Sequence, residues 1–408
     1  MAKRILVVTQ HFWPETFRIN DIVEGFLEDG FQVDVLCGLP NYPKGEWFPG
    51  YSGKGPWQDD FHGAKVVRTY EIPRKGNTGV RIFLNYCSWP FFAPFSLHRL
   101  EGGYDAILCY NTSPVLMNWP ALLAGHRFKA PVTSYVLDIW PENLYSVLPI
   151  SNKLLRGVAA AVSDFLYRRC DRLIAMSPGL QKRLMERTGK SAHKVAVIPQ
   201  YCEDFYAVSQ CDEALAKQYA GKINLVFAGN FSPAQSLDTV VKALASANEV
   251  LKAADDTPLH LLLVGDGMSR KSLETLTEEL HLQDSVTFYG SVAPTAIPAI
   301  NGFADALVVS LSDSPDLGFT IPAKVASCMA CGKPLLASMD GEGYAAVRSS
   351  GGGLVSPACN VEALAENMVK LSRMTAEQRG KMGEQAKAYY QAHYRRSELL
   401  RQIESFIM

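Results

Sequence analysis

Ile5-Leu-Val-Val8, residues 19–27 and Phe31-Gln-Val-Asp-Val-Leu36 decide how this chain is read. The first and third are short β-branched apolar runs. The stretch between them carries apolar residues at helical spacing, so the three make a β-α-β unit. Outward from it, the same signals place strands at 65–70, 106–110, 132–137, 172–176 and 194–198, with helices around 115–123, 152–169 and 180–187. A second series starts afresh with strands at 223–228, 259–264, 286–289, 306–311, 333–337 and 353–355, separated by helices near 237–250, 269–280, 323–330 and 360–372. The fold class expected is α/β: two tandem doubly wound Rossmann-like domains facing a central cleft. The first is expected over 1–203 and the second over 204–385, with a polar hinge at 203–222 and a helical tail, 386–408, packing back across to the first. In such folds ligands bind outside the carboxyl ends of the strands, so the loops that follow strands are where chemistry is sought.

Composition narrows the function classes. With 408 residues, 48% of them hydrophobic, and 40 Lys and Arg against 41 Asp and Glu, the chain can bury large cores and has no basic excess for nucleic acid. The apolar run near the start is too short for a signal-peptide core, so a cytoplasmic location is expected. Nine cysteines, an odd number scattered through apolar segments, argue against a disulfide framework. Cys328-Met-Ala-Cys331 lacks a second pair at metal spacing, and no metal is expected. Stretch 80–97 contains Arg81, Asn85, Pro90 and Pro94 and does not read as a membrane span. Its aromatics, flanked by Arg74, Lys75, Arg81, His98 and Arg99, suit either a surface dipping into lipid headgroups or a core-facing helix.

Four loops carry unusual chemistry. Strand 223–228 runs through Gly229-Asn230-Phe231-Ser232-Pro233-Ala234-Gln235 into a helix, a small-residue turn that could bind phosphate on backbone N–H groups, although it lacks G-x-G-x-x-G and Gly-Lys-Ser/Thr. Strand 306–311 leads through Thr320 and Pro322 to Lys324. A helix opened at Thr320 or Pro322 puts that lysine in its first turn, where a cation is disfavoured unless an anion is present. Gln10-His11-Phe12-Trp13-Pro14-Glu15, followed by Arg18, combines a titratable ring, a carboxylate and a guanidinium. Asp138-Ile139-Trp140-Pro141-Glu142 places two carboxylates beside an aromatic at a strand end, suited to acid–base work and sugar stacking, or to helix capping. Val264-Gly265-Asp266-Gly267 reads first as a tight turn.

Taken in order, these motifs, together with Gly38-Leu-Pro-Asn41-Tyr42-Pro43, Val197-Ile-Pro-Gln-Tyr201, Phe288-Tyr289-Gly290 and Met329-Ala-Cys-Gly-Lys-Pro334, resemble retaining glycosyltransferases of family four with the GT-B architecture. They look most like the fucosamine-transferase-like branch of bacterial surface-polysaccharide assembly. The resemblance implies a nucleotide-sugar donor, most commonly UDP-linked and carrying an N-acetylated amino or deoxy sugar. It also implies a polyprenyl-diphosphate-linked saccharide as acceptor, peripheral contact with the cytoplasmic membrane face, and no metal or other cofactor. Donor contacts are expected from Gly229, Asn230, Gln235, Lys324, Arg18, Gly265, Phe288, Tyr289, Pro322, Thr320 and Ser327, and acceptor contacts from Glu15, Trp140, Asn41 and Tyr42. Catalytic candidates are Asp138, His11 and Glu142. The chain departs from the wider family at three places: Asn230 and Gln235 stand where many members have Arg and Lys, Phe319 and Ser327 where they have two Glu, and Leu137 precedes Asp138 where relatives often have His. These departures keep two rivals in view, a sugar-nucleotide epimerase of similar build and a non-catalytic nucleotide-binding subunit. A dinucleotide oxidoreductase ranks last because neither series opens with G-x-G-x-x-G.

Overall fold

The computed structural model describes residues 2–147, 152–208, 210–314 and 317–408. Two compact units are present: Met1–Ile198 with Leu400–Met408, and Pro199–Leu399. The first divides from the second at Ile198/Pro199 rather than at 203, and only the last nine residues of the tail group with it. There Arg172 Nη1 donates to the Phe406 carbonyl at 2.5 Å.

The first unit holds an eight-stranded sheet built from β1 (Arg4–Val8), β2 (Gln32–Gly38), β3 (Gln58–Phe61), β4 (Ala64–Thr69), β5 (Ala106–Asn111), β6 (Val132–Val136), β7 (Arg172–Ala175) and β8 (Val195–Val197). Their order is β3-β4-β2-β1-β5-β6-β7-β8, parallel except for the β3–β4 pair. Ile5 to Val8 of β1 are wholly buried because helices cover both faces of a central parallel strand, and that is why the run reads as unbroken hydrocarbon. The next helix, Arg18–Glu28, turns Ile19, Ile22, Val23 and Phe26 inward and leaves Glu24 and Glu28 outside. Each large side chain buried this way contributes roughly 1.5–3 kcal/mol. Strand β3 was not foreseen: it is a polar edge strand joined to β4 by His62-Gly63, both with positive φ, a turn suited to a two-residue hairpin.

The second unit holds β9 (Ile223–Ala228), β10 (Leu259–Val264), β11 (Val286–Gly290), β12 (Ala306–Ser310), β13 (Leu335–Ser338) and β14 (Gly353–Ser356), all parallel, in the order β11-β10-β9-β12-β13-β14. In each sheet the order reverses beside the first strand of the unit, between β1 and β5 and between β9 and β12. Such a reversal opens a crevice at the carboxyl end of that strand. The loops after β1 and β9 leave from these two places.

Candidate active site

In the second unit, three glycines let two loops touch. A side chain on Gly265 would overlap the Gly229 carbonyl, and one on Gly267 would overlap Asn230 and Phe231. The loops are stitched by Gly229 N–H to the Val264 carbonyl, Phe231 N–H to Asp266 and Gly265 N–H to Gly290, each at 2.8 Å. Beside them, helix Ala323–Ala330 starts after Pro322, which places Lys324 in its first turn. The Lys324 ammonium stands 3.5 Å above the Phe227 ring, donates to Gln235 Oε1 at 3.0 Å and occupies the space a side chain on Gly229 would need. Among the described residues no carboxylate pairs with it. Loss of water around its ammonium end brings its pKa down to about 7, a shift only partly opposed by the nearby Cys328.

Gly229, Lys324 and Ser327 open onto a pocket of about 180 Å³, whose other walls come from Tyr206, Val292, Ile297 and Asn301. Sequence spacing gave no sign of these four, which come from three separate places along the chain, Ile297 and Asn301 sharing one helix. Of the remaining donor candidates, Asn230 is exposed beside Gly267, Gln235 is held by Lys324, Pro322 begins the helix and Thr320 donates to the Leu317 carbonyl. Pro315 and Asp316 of the same loop lie outside the described residues. Phe288 corrects the expectation: it packs against the core under the Arg270 guanidinium, because β11 is an edge strand whose inner face is covered by a helix. Tyr289 points to solvent from the same strand. Arg18 belongs to the first unit, where its charge acts on Tyr135.

In the first unit, a buried polar network joins the segments that follow β1, β2 and β4. Glu15 Oε2 lies 2.7 Å from His11 Nδ1, and Glu15 Oε1 accepts from the Asn41 and Tyr42 backbone N–H groups at 2.6 Å each. Arg74 Nη2 is 3.2 Å from His11 Nε2. Arginine can only donate, so Nε2 accepts and Nδ1 carries the proton given to Glu15. The His11 ring stacks on Phe17 at 4.9 Å, and Arg74 lies over the rings of Tyr42 and Tyr86. A second carboxylate, Glu71, accepts from Gln10 and Asn41, while Asn85 accepts from Gln10 and Arg74. Burial pushes Glu71 up to about 8, with Glu15 adding to the rise and Gln10, Arg74 and Asn41 opposing it.

This network revises several expected roles. His11 has both ring nitrogens engaged within the network, Nδ1 by Glu15 and Nε2 by Arg74. Asn41 is fully buried and serves Glu15 and Glu71. Trp140 is only 5% exposed, with its indole N–H on Ser113 Oγ at 2.8 Å and its ring against Tyr86, so it is core rather than a stacking platform. Glu142 spends both oxygens on Arg183 and Arg187, at 3.1 Å each, which ties its helix to helix Pro178–Thr188 instead of offering a base. Asp138 remains: desolvation raises it to about 7 against the opposing hydrogen bond of Asn143, so it can hold or release a proton near neutrality. Glu71, Arg74 and Asn85 were absent from the sequence-based candidates. Arg74, expected to flank a lipid surface, lies buried in the network instead.

Helix Gly79–Ser96 presents both a core side and an exposed side. One side, with Tyr86, Trp89 and Ala93, is core, while Val80, Phe83, Leu84, Phe91 and Phe95 face outward. Among the described residues no helix is long and apolar enough to cross a membrane.

Comparison with known proteins agrees with the two-unit fold. Residues 214–389 match the family described as glycosyl transferases group 1, and residues 16–200 match the glycosyl transferase 4-like domain. Mannosylfructose-phosphate synthase of Agrobacterium fabrum is 26% identical over 62% of this chain and 59% of its own length, so this chain spans well under two thirds of that relative. A GDP-mannose-dependent α-(1-6)-phosphatidylinositol monomannoside mannosyltransferase of Mycobacterium tuberculosis is 24% identical over 64% of this chain and 66% of its own. Among solved structures, Anabaena Alr3699/HepE in complex with UDP covers 99% of this chain and 98% of its own at 16% identity, with a TM-score of 0.71. WaaG, described as a glycosyltransferase involved in lipopolysaccharide biosynthesis, covers 99% of both chains at 15% identity with a TM-score of 0.68. These structural likenesses carry the fold.

Proposed function

We propose, starting from the fact that this chain is a glycosyltransferase of the GT-B fold, that it moves a sugar with retention of configuration from a UDP-linked donor to a polyprenyl-diphosphate-linked saccharide at the cytoplasmic membrane face. The product would enter bacterial surface polysaccharide. The observation that carries the reading is Lys324, a cation with no carboxylate partner among the described residues, half-buried at a helix start and beside a loop of tightly packed glycines. In transfer, the bond between the donor's anomeric carbon and the diphosphate oxygen breaks and the acceptor oxygen bonds to that carbon. The acceptor proton passes to the departing diphosphate. Lys324 and the N–H groups at the start of helix Ala323–Ala330 meet the charge that develops on the diphosphate. This reading lets Lys324 stand in for the Arg and Lys that Asn230 and Gln235 replace.

The acceptor half is assigned to the first unit, with Asp138 orienting the incoming hydroxyl and the His11–Glu15–Arg74 network holding the loop after β1 rigid. The outward aromatic row of helix Gly79–Ser96 and the membrane-lipid substrate named for the mycobacterial relative favour a lipid-linked acceptor. The test is to incubate the protein with UDP- and GDP-linked sugars, with and without a polyprenyl-diphosphate-linked sugar, following nucleotide release and the anomeric configuration of the product. Release that requires the acceptor, with configuration retained, is expected. Donor-sugar conversion without an acceptor would make the protein an epimerase, and tight nucleotide binding without turnover would make it a binding subunit.

A further inference from the structure

Helices Gly79–Ser96, Asn118–Phe128 and Lys153–Arg169 belong to the β4-to-β5, β5-to-β6 and β6-to-β7 crossovers, which all step the same way along the sheet. Right-handed connections therefore put the three on one face, and each touches the next. Their outer surface is more apolar than packing requires. On Lys153–Arg169 the outward row is Leu154, Leu155, Val158, Val162 and Phe165, and Trp119 of the neighbouring helix is 43% exposed. Between that row and Leu116 and Trp119 runs a groove of about 420 Å³ lined by apolar side chains alone. The charges on these helices are one-sided: Arg81, Arg127, Lys153, Arg156, Arg168 and Arg169 stand against a single carboxylate, Asp164, on a chain whose net charge is −1. Even Asp164 is engaged, 2.7 Å from Arg187.

We infer that this groove holds the hydrocarbon chain of the lipid-linked acceptor, with the cations of the same three helices set against anionic headgroups and phosphate. The inference rests on the lipid-linked reading above. A lipid supplies both features at once, since an apolar chain fills a slot with no hydrogen-bonding lining while its phosphate and neighbouring anionic lipids meet the six cations. A second copy of this chain would have to bring six cations against six. An indole half in and half out at the rim is also where tryptophan sits at a membrane interface.

The test uses farnesyl monophosphate as the probe, titrated into the full chain while the emission of Trp119 is followed by difference from Trp119→Phe. Ala161→Trp fills the groove, and Val162→Ser, a milder change to the same wall, is the second variant should the first fail to fold. Binding by the wild type is expected, weakened about tenfold or more by Ala161→Trp. UDP binding is expected to be unchanged, and so is association with phosphatidylcholine vesicles containing a minority of phosphatidylglycerol. Equal binding of the probe by wild type and both variants overturns the inference. So does a dimer on sizing columns that the variants abolish, because the occupant is then a second copy. Loss of vesicle association with probe binding intact also overturns it, by making the groove a seat for bulk membrane lipid. Failure of the transferase reading would show separately, as absence of sugar transfer by a wild type that still binds the probe.

Discussion

The two crevices are built on the same topology and hold opposite electrostatic arrangements. In the first unit Glu15, His11 and Arg74 satisfy one another, so the polar groups serve mainly to hold a loop. In the second unit Lys324 has an amide oxygen and an aromatic face for company but no counter-charge among the described residues, and its pKa falls to about 7. A network that closes on itself stabilises the native state, whereas a cation left unpaired costs stability until an anion arrives.

That contrast can be broken by experiment. Glu15→Ala leaves the His11 Nδ1–H and two backbone N–H groups without their carboxylate, and a loss of about 3 kcal/mol or more of stability is expected, read as a lowered denaturation midpoint. If the variant unfolds like the wild type, the network does not hold the loop. Lys324→Ala should behave the other way, weakening UDP by about 1.5–3 kcal/mol while leaving the unliganded protein no less stable. Titration calorimetry beside thermal unfolding checks both halves, and a destabilised variant with unaltered UDP affinity would reverse the comparison. Gly265→Ala tests the loop contact. It should cost about 1–3 kcal/mol through backbone overlap with Gly229 and weaken UDP in parallel, so retained stability would show that the loops need not touch.

A further expected effect is on pH dependence. Glu71 at about 8 and Asp138 at about 7 hold protons in the native state that the unfolded chain has released. Stability from these groups is therefore full below the ordinary carboxylate range and falls as pH rises towards 8, by no more than about 1.4 kcal/mol per pH unit for each proton. Glu71→Gln should flatten the slope in urea titrations between pH 5 and 8, and an unchanged slope would remove Glu71 as its source.

The fold was legible because buried parallel strands read as plain apolar runs and their helices as amphipathic ones. Both sheets follow from that, except for β3, whose Gln-Asp-Asp-Phe carries no apolar signal. The second-unit loop was legible because a lysine just after Pro322 is awkward in isolation. The first-unit network was only half legible: Glu15 and His11 are close in sequence, but Glu71, Arg74 and Asn85 join them through β4 and the helix beyond it, a separation no local pattern encodes. Trp140 and Glu142 were misread for a related reason. A strand-end aromatic and acid look alike whether they face a ligand or a neighbouring helix, and here Ser113, Arg183 and Arg187 take them.

The most direct test of the account is proton uptake on UDP binding at pH 8.5, measured by titration calorimetry in buffers of different ionisation heat. A lysine near 7 is mostly neutral there and must regain its proton beside a diphosphate. The account predicts uptake approaching one proton per UDP bound, abolished by Lys324→Met. UDP binding with no proton uptake, or uptake that survives in Lys324→Met, would contradict it.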